Sequence, residues 1–277
     1  MKNSNKDNPI VSIILPAYNG REEWLSESIQ SVLNQTFMDF ELIIIDDAST
    51  NGIEKVIECY QKKDSRLVYI KNKENLKLTK TLNKWISIAR WKYIARIDDD
   101  DIRYNPNKLE SQINFMEKHK EYWLLWTNGV IINSEWKELY KLIRPSSDEE
   151  LRKKLIIWNW LIHSSVIIRK SVLDKAWWFY DENWNFVEDY ELWLRLWRIS
   201  KMKNLSDIFI KYRVNENWVS LVNRKKQKIL TLKLFFKYYK YYPKKYTIYA
   251  FFFKIWELIV PSSFSKFIMN RAKNIKI

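Results

Sequence analysis

From residue 10 onward, short apolar runs alternate with segments whose apolar residues recur every three or four positions. "IVSIIL" (10–15) is a β-branched run ending at Pro16, and "FELIIID" (40–46), "LVYI" (67–70) and "KYIARI" (92–97) repeat that character. Each reads as a buried strand. Between them, 21–35 carries Leu25, Ile29, Val32 and Leu33 at helical spacing, 53–62 predicts a second helix, and 78–90 a third with Leu78, Leu82, Ile86 and Ala89 on one face. A βαβαβαβ order predicts an α/β fold, a mostly parallel sheet with helices on both faces. Beyond Asp101 the pattern loosens. It predicts a helix over 106–119, strands at "LLWTNGVIIN" and "KELYKLI" joined by a short turn, a strand at "HSSVIIRK" (163–170), a helix over 188–200 and an extended "IFIKYRV" (208–214).

Ligands of open α/β sheets bind beyond the carboxyl ends of the strands. Three polar clusters follow predicted strands: Pro16-Ala17-Tyr18-Asn19, Asp46-Asp47-Ala48-Ser49, and Asp98-Asp99-Asp100-Asp101. Strand order brings them to one edge, which their spacing alone would not. Four adjacent carboxylates repel one another unless a cation neutralises them. All-oxygen ligation suits Mg²⁺ or Mn²⁺, with one or two carboxylates completed by phosphate oxygens. The chemistry this suggests is a metal-bridged diphosphate. The plainer alternatives are a solvated acidic loop or a helix cap ahead of Asn105-Pro106.

Charge and cysteine content narrow the classes. The formal net charge of +15 is concentrated in residues 223–277, which hold 14 Lys or Arg and one acidic residue, Glu257; residues 1–222 stand at only +2. The body therefore carries no nucleic-acid footprint. One cysteine, Cys59, permits neither an internal disulfide nor a Cys-based metal site and fits a reducing compartment. The first apolar run is short, sits behind a polar leader and lacks a cleavage pattern, so a secretory signal is not expected.

"VSIILPAYNG", "LNQTFMDFELIIIDDAST", "YIARIDDDDI" and "HSSVIIRKSVLDKA…FYDENWNFVEDYELWLRL" together resemble the glycosyltransferase family 2 enzymes of the GT-A fold, in order over about residues 10–220. The resemblance implies a nucleotide-sugar donor, a UDP-sugar first, held by Pro16, Tyr18 and Asp47 at base and ribose. It implies a DxD element of Asp98 and Asp100 on Mn²⁺ or Mg²⁺, Asp100 being the direct ligand, with Asp99 at the variable middle position and Asp101 equally able to cap a following helix. It also implies Asp189 as the base of an inverting transfer, Glu188 beside it, His163 near the acceptor side, and Arg213 meeting the diphosphate. Asn215, where relatives often carry His, and Lys77, where "NLGL" is usual, depart from the pattern. A sugar-nucleotide pyrophosphorylase would share the sheet and the metal but calls for a Gly- and Arg-rich loop that "PAYNGREEW" does not supply. A non-catalytic nucleotide-sugar binding protein is the third reading.

The segment 223–277 interleaves Lys with Phe, Tyr and Leu, and its longest apolar run, 246–260, contains Lys254 and Glu257 and stops at Pro261. It falls short of the roughly 20 residues of a spanning helix. We expect a catalytic domain over 1–222 and a basic helical extension over 223–277. The extension would lie on an anionic membrane surface, serving a glycan or lipid-linked acceptor at the inner face of the cell membrane. Stacking on single-stranded nucleic acid and plain packing on the body are the alternatives.

Finally, the chain has 15 Trp and 3 Gly, where an average composition would give about 20 Gly. Trp91, Trp136 and Trp177-Trp178 stand where a helix end or hairpin turn favours glycine. Trp85, Trp123, Trp126, Trp197 and Trp218 occupy sites that resemble family glycines. UGA codons meaning glycine, translated here as tryptophan, would account for all of them, the alternative being a genuinely Trp-rich chain that uses indoles for sugar stacking. UGG at Trp91, Trp136 and Trp177 would overturn the UGA reading.

Overall fold

The structure, a computed structural model, describes residues 10–87, 91–175, 179–214 and 222–260. Its first half follows the predicted alternation: β1 (Val11–Ala17), α1 (Glu22–Leu33), β2 (Phe40–Asp46), α2 (Glu54–Gln61), β3 (Leu67–Lys71), α3 (Leu78–Ile86) and β4 (Tyr93–Arg96). These strands pair in parallel in the order β3-β2-β1-β4. Alternation of side chains sends neighbouring residues of β1 into two cores. Val11, Ile13 and Leu15 pack with Leu25, Ile29, Ile57 and Leu109 on one face, and Ile14 with Leu82, Ile86 and Trp193 on the other. Burial on both faces explains why the strands read as unbroken apolar runs.

The second half mixes directions. β5 (Ile102–Arg103), α4 (Lys108–Lys118), β6 (Tyr122–Ile132), β7 (Glu138–Leu142), α5 (Asp148–Lys154), β8 (Ile167–Arg169), α6 (Lys170–Lys175), α7 (Glu188–Leu196) and β9 (Lys201–Arg213) extend the sheet to nine strands, ordered β3-β2-β1-β4-β8-β6-β9-β5 with β7 on β6. β8 runs antiparallel to both β4 and β6, β6 and β9 are parallel, and β7 forms the predicted hairpin with β6. Three expectations change. The strand predicted over 163–170 is a 3₁₀ turn at His163–Ser165 followed by the three-residue β8; the helix expected to reach 200 ends at Leu196; and extended structure starts at Lys201. The long pairing of β6 with β9 is non-local, so local periodicity could not announce it.

Two further helices, Arg224–Tyr238 and Lys244–Ile259, fold back onto the body. Leu234, Phe235, Tyr238, Tyr242 and Ala250 join the larger core, Tyr242 stacks on Trp197 at 4.4 Å, and the Tyr238 hydroxyl donates to buried Glu191 at 2.6 Å. Packing on the body, one alternative for this segment, thus accounts for the inner faces of its helices. Among the described residues no helix is long and apolar enough to cross a membrane.

Among the suspect tryptophans, Trp136 has φ +67° at the tip of the β6–β7 hairpin, as a glycine site would. Trp85, Trp123, Trp126 and Trp197 have no positive φ, so their case rests on the family resemblance alone. Trp177, Trp178, Trp218, Ala89 and Asn215 lie outside the described residues, as does Arg90, on which the φ of Trp91 depends.

Candidate active site

Register places the chemistry. Ala17 pairs with Asp46, and Ile14 with Arg96, so Tyr18, Asp47 and Asp98 emerge from three parallel strands along one edge. Beyond that edge lies a cleft of about 510 Å³ lined by Arg96, Asp98, Asp99, Asp100, His163, Glu188 and Asp189. Positions far apart in sequence, 98–100, 163 and 188–189, therefore share one cavity. Pro16, Tyr18, Asp47 and Arg213 do not line it.

The aspartate run is held from below. Ser28 Oγ lies 2.7 Å from the Asp98 carbonyl and 2.5 Å from that of Asp101, pinning both ends of the turn to α1. Arg96, the last residue of β4, donates Nη2 to Asp98 Oδ1 at 2.5 Å and Nη1 to His163 Nδ1, while Ser164 Oγ donates to Asp98 Oδ2 at 2.7 Å. Arginine can only donate, so His163 Nδ1 accepts, the ring carries its hydrogen on Nε2, and that hydrogen meets Tyr180 Oη at 2.7 Å. Burial first, then the Arg96 charge, holds the His163 pKa well below its usual value. His163 thus lines the cleft as a neutral ring with both nitrogens engaged.

Asp101 is buried and its Oδ1 accepts the Arg213 backbone N–H at 3.0 Å. Strand β5 follows it directly, so the helix-cap reading of Asp101 is corrected. Arg213 is fully buried: it pairs with Glu27 Oε2 at 2.6 Å, donates Nε to the Asp100 carbonyl at 3.1 Å, and lies between the rings of Trp24 and Trp136 at 4.9 and 5.0 Å. In this structure it braces the aspartate turn from behind, away from the cleft, and the surface-arginine alternative does not hold.

Farther along the same strand edge, Tyr18 is half exposed. Asp47 is buried, and its carboxylate is largely committed: Oδ1 accepts from Asn72, Leu76 and Thr81, and Oδ2 from the Lys77 N–H, all at 2.8–2.9 Å. These bonds shape the 72–77 loop and leave room at Oδ2 for one more donor. Lys77 sits at φ +68°, ψ 160°, a region that favours glycine, which gives its departure from the family pattern a physical meaning. Gly20 matters for a different reason: a Cβ there would lie 2.4 Å from Asp99 Oδ2, so any other residue would displace that carboxylate.

The electrostatics favour a cation. Burial, then Asp100 and Asp98, pushes Asp99 well above the usual carboxylate range; burial, then Asp98, pushes Asp100 to about 7. Asp98 is paired with Arg96, while Asp100 takes part in no ion pair among the described residues. No three His, Cys, Asp or Glu among the described residues form a closed cage. This donor set fits a hard cation held by one or two carboxylates and completed by substrate oxygens.

On the opposite wall, α7 starts at Glu188. Asp189 Oδ1 accepts the Tyr190 N–H at 2.6 Å and Oδ2 accepts from Asn159 Nδ2 at 2.8 Å. Burial raises the Asp189 pKa, against the lowering effect of these two donors. Glu188 is pushed to about 7 by burial and by Asp189. Sequence reasoning missed Arg96, Gly20, Ser164, Asn159 and Tyr180. Only Arg96 announced itself, as a charge closing an apolar strand, and Gly20, as one of three glycines.

The sequence matches Glycosyl transferase family 2 over residues 12–177. It is 34% identical over 261 residues to the uncharacterized glycosyltransferase MJ1057 of Methanocaldococcus jannaschii, covering 89% of this chain and 86% of that one. TuaG of Bacillus subtilis, assigned by name to teichuronic acid biosynthesis, is 37% identical over 108 residues, covering 39% of this chain and 42% of that one. Among solved structures, the Pyrobaculum calidifontis mannosyltransferase PcManGT in complex with GDP-Man and Mn²⁺ superposes with a TM-score of 0.68 at 12% identity, covering 98% of this chain and 77% of that one. S. aureus TarS 1-349 in complex with UDP gives 0.67 at 17%, covering 96% and 75%. These similarities displace the pyrophosphorylase and binding-protein readings: the fold is GT-A, and the chain is a glycosyltransferase belonging to glycosyltransferase family 2.

Proposed function

We propose that this glycosyltransferase is inverting and metal-dependent, moving a sugar from a nucleotide donor, a UDP-sugar first, to a glycan or lipid-linked acceptor in cell-surface polysaccharide synthesis. One observation carries the reading: the Asp98–Asp100 carboxylates and Asp189 open on the same cleft. Tyr18 packs on the base, beside Pro16, and the remaining acceptor position of Asp47 takes a donor from base or ribose. Asp100, with Asp98, would hold Mg²⁺ or Mn²⁺, which supplies charge stabilisation to the departing diphosphate.

Asp189 accepts the acceptor hydroxyl proton as that oxygen bonds to the anomeric carbon and the bond to the diphosphate breaks, which inverts the centre. Its raised pKa makes it a stronger base, while Asn159 and the Tyr190 N–H fix its orientation and leave a lone pair free. A role for TuaG in teichuronic acid synthesis, as its name states, supports an anionic cell-surface polymer as the setting.

The outer faces of the two C-terminal helices support a peripheral membrane site. Phe236, Ile248, Tyr249 and Phe252 are exposed, Phe252 to 66%, beside exposed Lys240, Lys244 and Lys245. Apolar side chains ringed by lysine suit the interface of an anionic bilayer at the inner face of the cell membrane.

Two experiments test these readings. A thermal-shift panel of UDP-, dTDP- and GDP-sugars with and without Mn²⁺ should give a metal-dependent shift with one donor class; no shift from folded protein would contradict it. Co-sedimentation with vesicles should require anionic lipid and fall in Phe236→Ser/Phe252→Ser. Equal binding to neutral vesicles would reject the membrane role.

A further inference from the structure

We infer that the acceptor bears an anionic group, a phosphate or a carboxylate, held by Arg144 and Lys254 on the wall of the cleft next to Asp189. This rests on the transferase reading above and names the acceptor class that the reading leaves open.

The cleft is divided by charge. Asp98, Asp99 and Asp100 line its sheet-edge side, where Arg96 is paired with Asp98, and Glu188 and Asp189 add two more carboxylates at the start of α7. The facing side, built by the segment after β7 and by the two C-terminal helices, presents Arg144, Arg224, Lys228 and Lys254 against a single carboxylate, Glu257. The segment 157–160 ties this basic side to the candidate base. Asn159 donates to Asp189 at 2.8 Å, Lys254 Nζ donates to the Ile157 carbonyl at 3.2 Å, and Arg144 lies 5.9 Å from the Trp160 ring. Lys254 also lies 5.4 Å from the ring of Tyr190, the neighbour of Asp189.

Arg144 is the central residue. Its backbone is fixed on both sides, the N–H donating to Asn128 at 2.9 Å and the carbonyl accepting from Asn204 at 3.2 Å. Its side chain is aimed into the cleft, where Nε is buried without a hydrogen-bond partner, and it takes part in no ion pair among the described residues. Burial lowers the pKa of Arg144 and brings Lys254 to about 8. Arg144, desolvated in this way without a carboxylate, is costly to keep charged unless an anion arrives, while Glu257 partly compensates Lys254. The planar guanidinium fork matches a phosphate or carboxylate with two parallel bonds.

The division of charge also sets direction. An anionic group is repelled by the sheet-edge carboxylates and attracted by Arg144 and Lys254. An acceptor held there presents its hydroxyl across the 159 segment to Asp189. A neutral acceptor would lack this orientation.

The test uses the full chain saturated with UDP and Mn²⁺, with intrinsic tryptophan fluorescence titrated by farnesyl phosphate, farnesol, glycerol phosphate, glycerol, glucuronate and glucose. Each anionic probe should bind at least tenfold more tightly than its neutral counterpart. Arg144→Gln should weaken the anionic probes by roughly ten- to a hundredfold, the loss expected for a charge-assisted bond. Arg144→Lys should recover part of that loss, and UDP affinity should be unchanged in both, which also shows that the variants fold.

A preference for farnesyl phosphate over glycerol phosphate identifies a lipid phosphate; equal affinity identifies the phosphate alone; glucuronate above both identifies a uronic acid. All three uphold the inference. Equal binding of charged and neutral probes, no binding of any probe, or an Arg144→Gln loss confined to UDP would overturn it, the last by assigning Arg144 to the donor diphosphate. Absence of any metal-dependent donor binding would instead reject the transferase mechanism itself.

Discussion

The cleft holds two acidic clusters that differ in how they are neutralised. Asp98 is ion-paired to Arg96 and bonded by Ser164, and its turn is braced by Ser28 and Arg213. Asp189 is held by an amide and a backbone N–H, with no ion pair among the described residues. The first arrangement fixes carboxylates firmly while leaving Asp100 short of positive charge, as a cation site requires. The second orients a carboxylate without quenching its basicity, as proton transfer requires. Under the proposed mechanism the same functional group would serve electrostatic binding in one place and acid–base chemistry in the other, with its supporting partners deciding which.

Breaking the first arrangement should have the largest effect. Arg96→Met removes the partner of both Asp98 and His163, and should cost about 3–5 kcal/mol of stability in chemical denaturation, the range for a broken buried pair. Asp100→Ala should leave the fold intact but remove metal-dependent stabilisation by donor. At 100 times the dissociation constant that amounts to about 2.7 kcal/mol in the wild type.

On the Asp189 side, Glu188 provides a pH test. Its pKa is raised to about 7 from an ordinary 4.5. The folded state therefore binds this proton more tightly than the unfolded chain. The associated stability is present below pH 4.5 and is lost as pH rises through 7. Glu188→Gln does not titrate, so it should be more stable than the wild type by about 3 kcal/mol at pH 8, with the difference vanishing near pH 4.5. A difference independent of pH would contradict the burial of this carboxyl.

The smallest effect is expected at Lys77, whose side chain is exposed while its backbone is left-handed. Lys77→Gly should add about 1 kcal/mol by relieving that conformation, and should keep the N–H bond to Asp47.

Legibility in the sequence follows the same division. The parallel half could be read because each strand is buried on both faces and each helix has one apolar face, so the local pattern states the structure. That reading then delivered the edge on which Tyr18, Asp47 and Asp98 stand. The second half could not be read this way. β8 is three residues long, β6 and β9 pair across some eighty residues, and Asn159 and Arg144 lie in segments without periodicity. Asp189 was reached only through family resemblance, since an acid in the first turn of a helix is ordinary in itself.

The C-terminal helices show a further limit. Their aromatic and basic pattern announced an amphipathic surface, but Leu234, Phe235, Tyr238 and Tyr242 recur at helical spacing because that face completes the core. Composition indicates that such a face must be covered; only the fold shows what covers it.

The most direct test of the account is Asp189→Asn, assayed in parallel for donor binding and for release of nucleoside diphosphate from the nucleotide sugar that stabilises the wild type, with membrane extract as acceptor. The account predicts unchanged metal-dependent donor binding and a rate lower by about 10²–10⁴, the contribution of a positioned general base. A variant within a fewfold of the wild-type rate, or one that loses donor binding together with turnover, would contradict the assignment of Asp189 as the base.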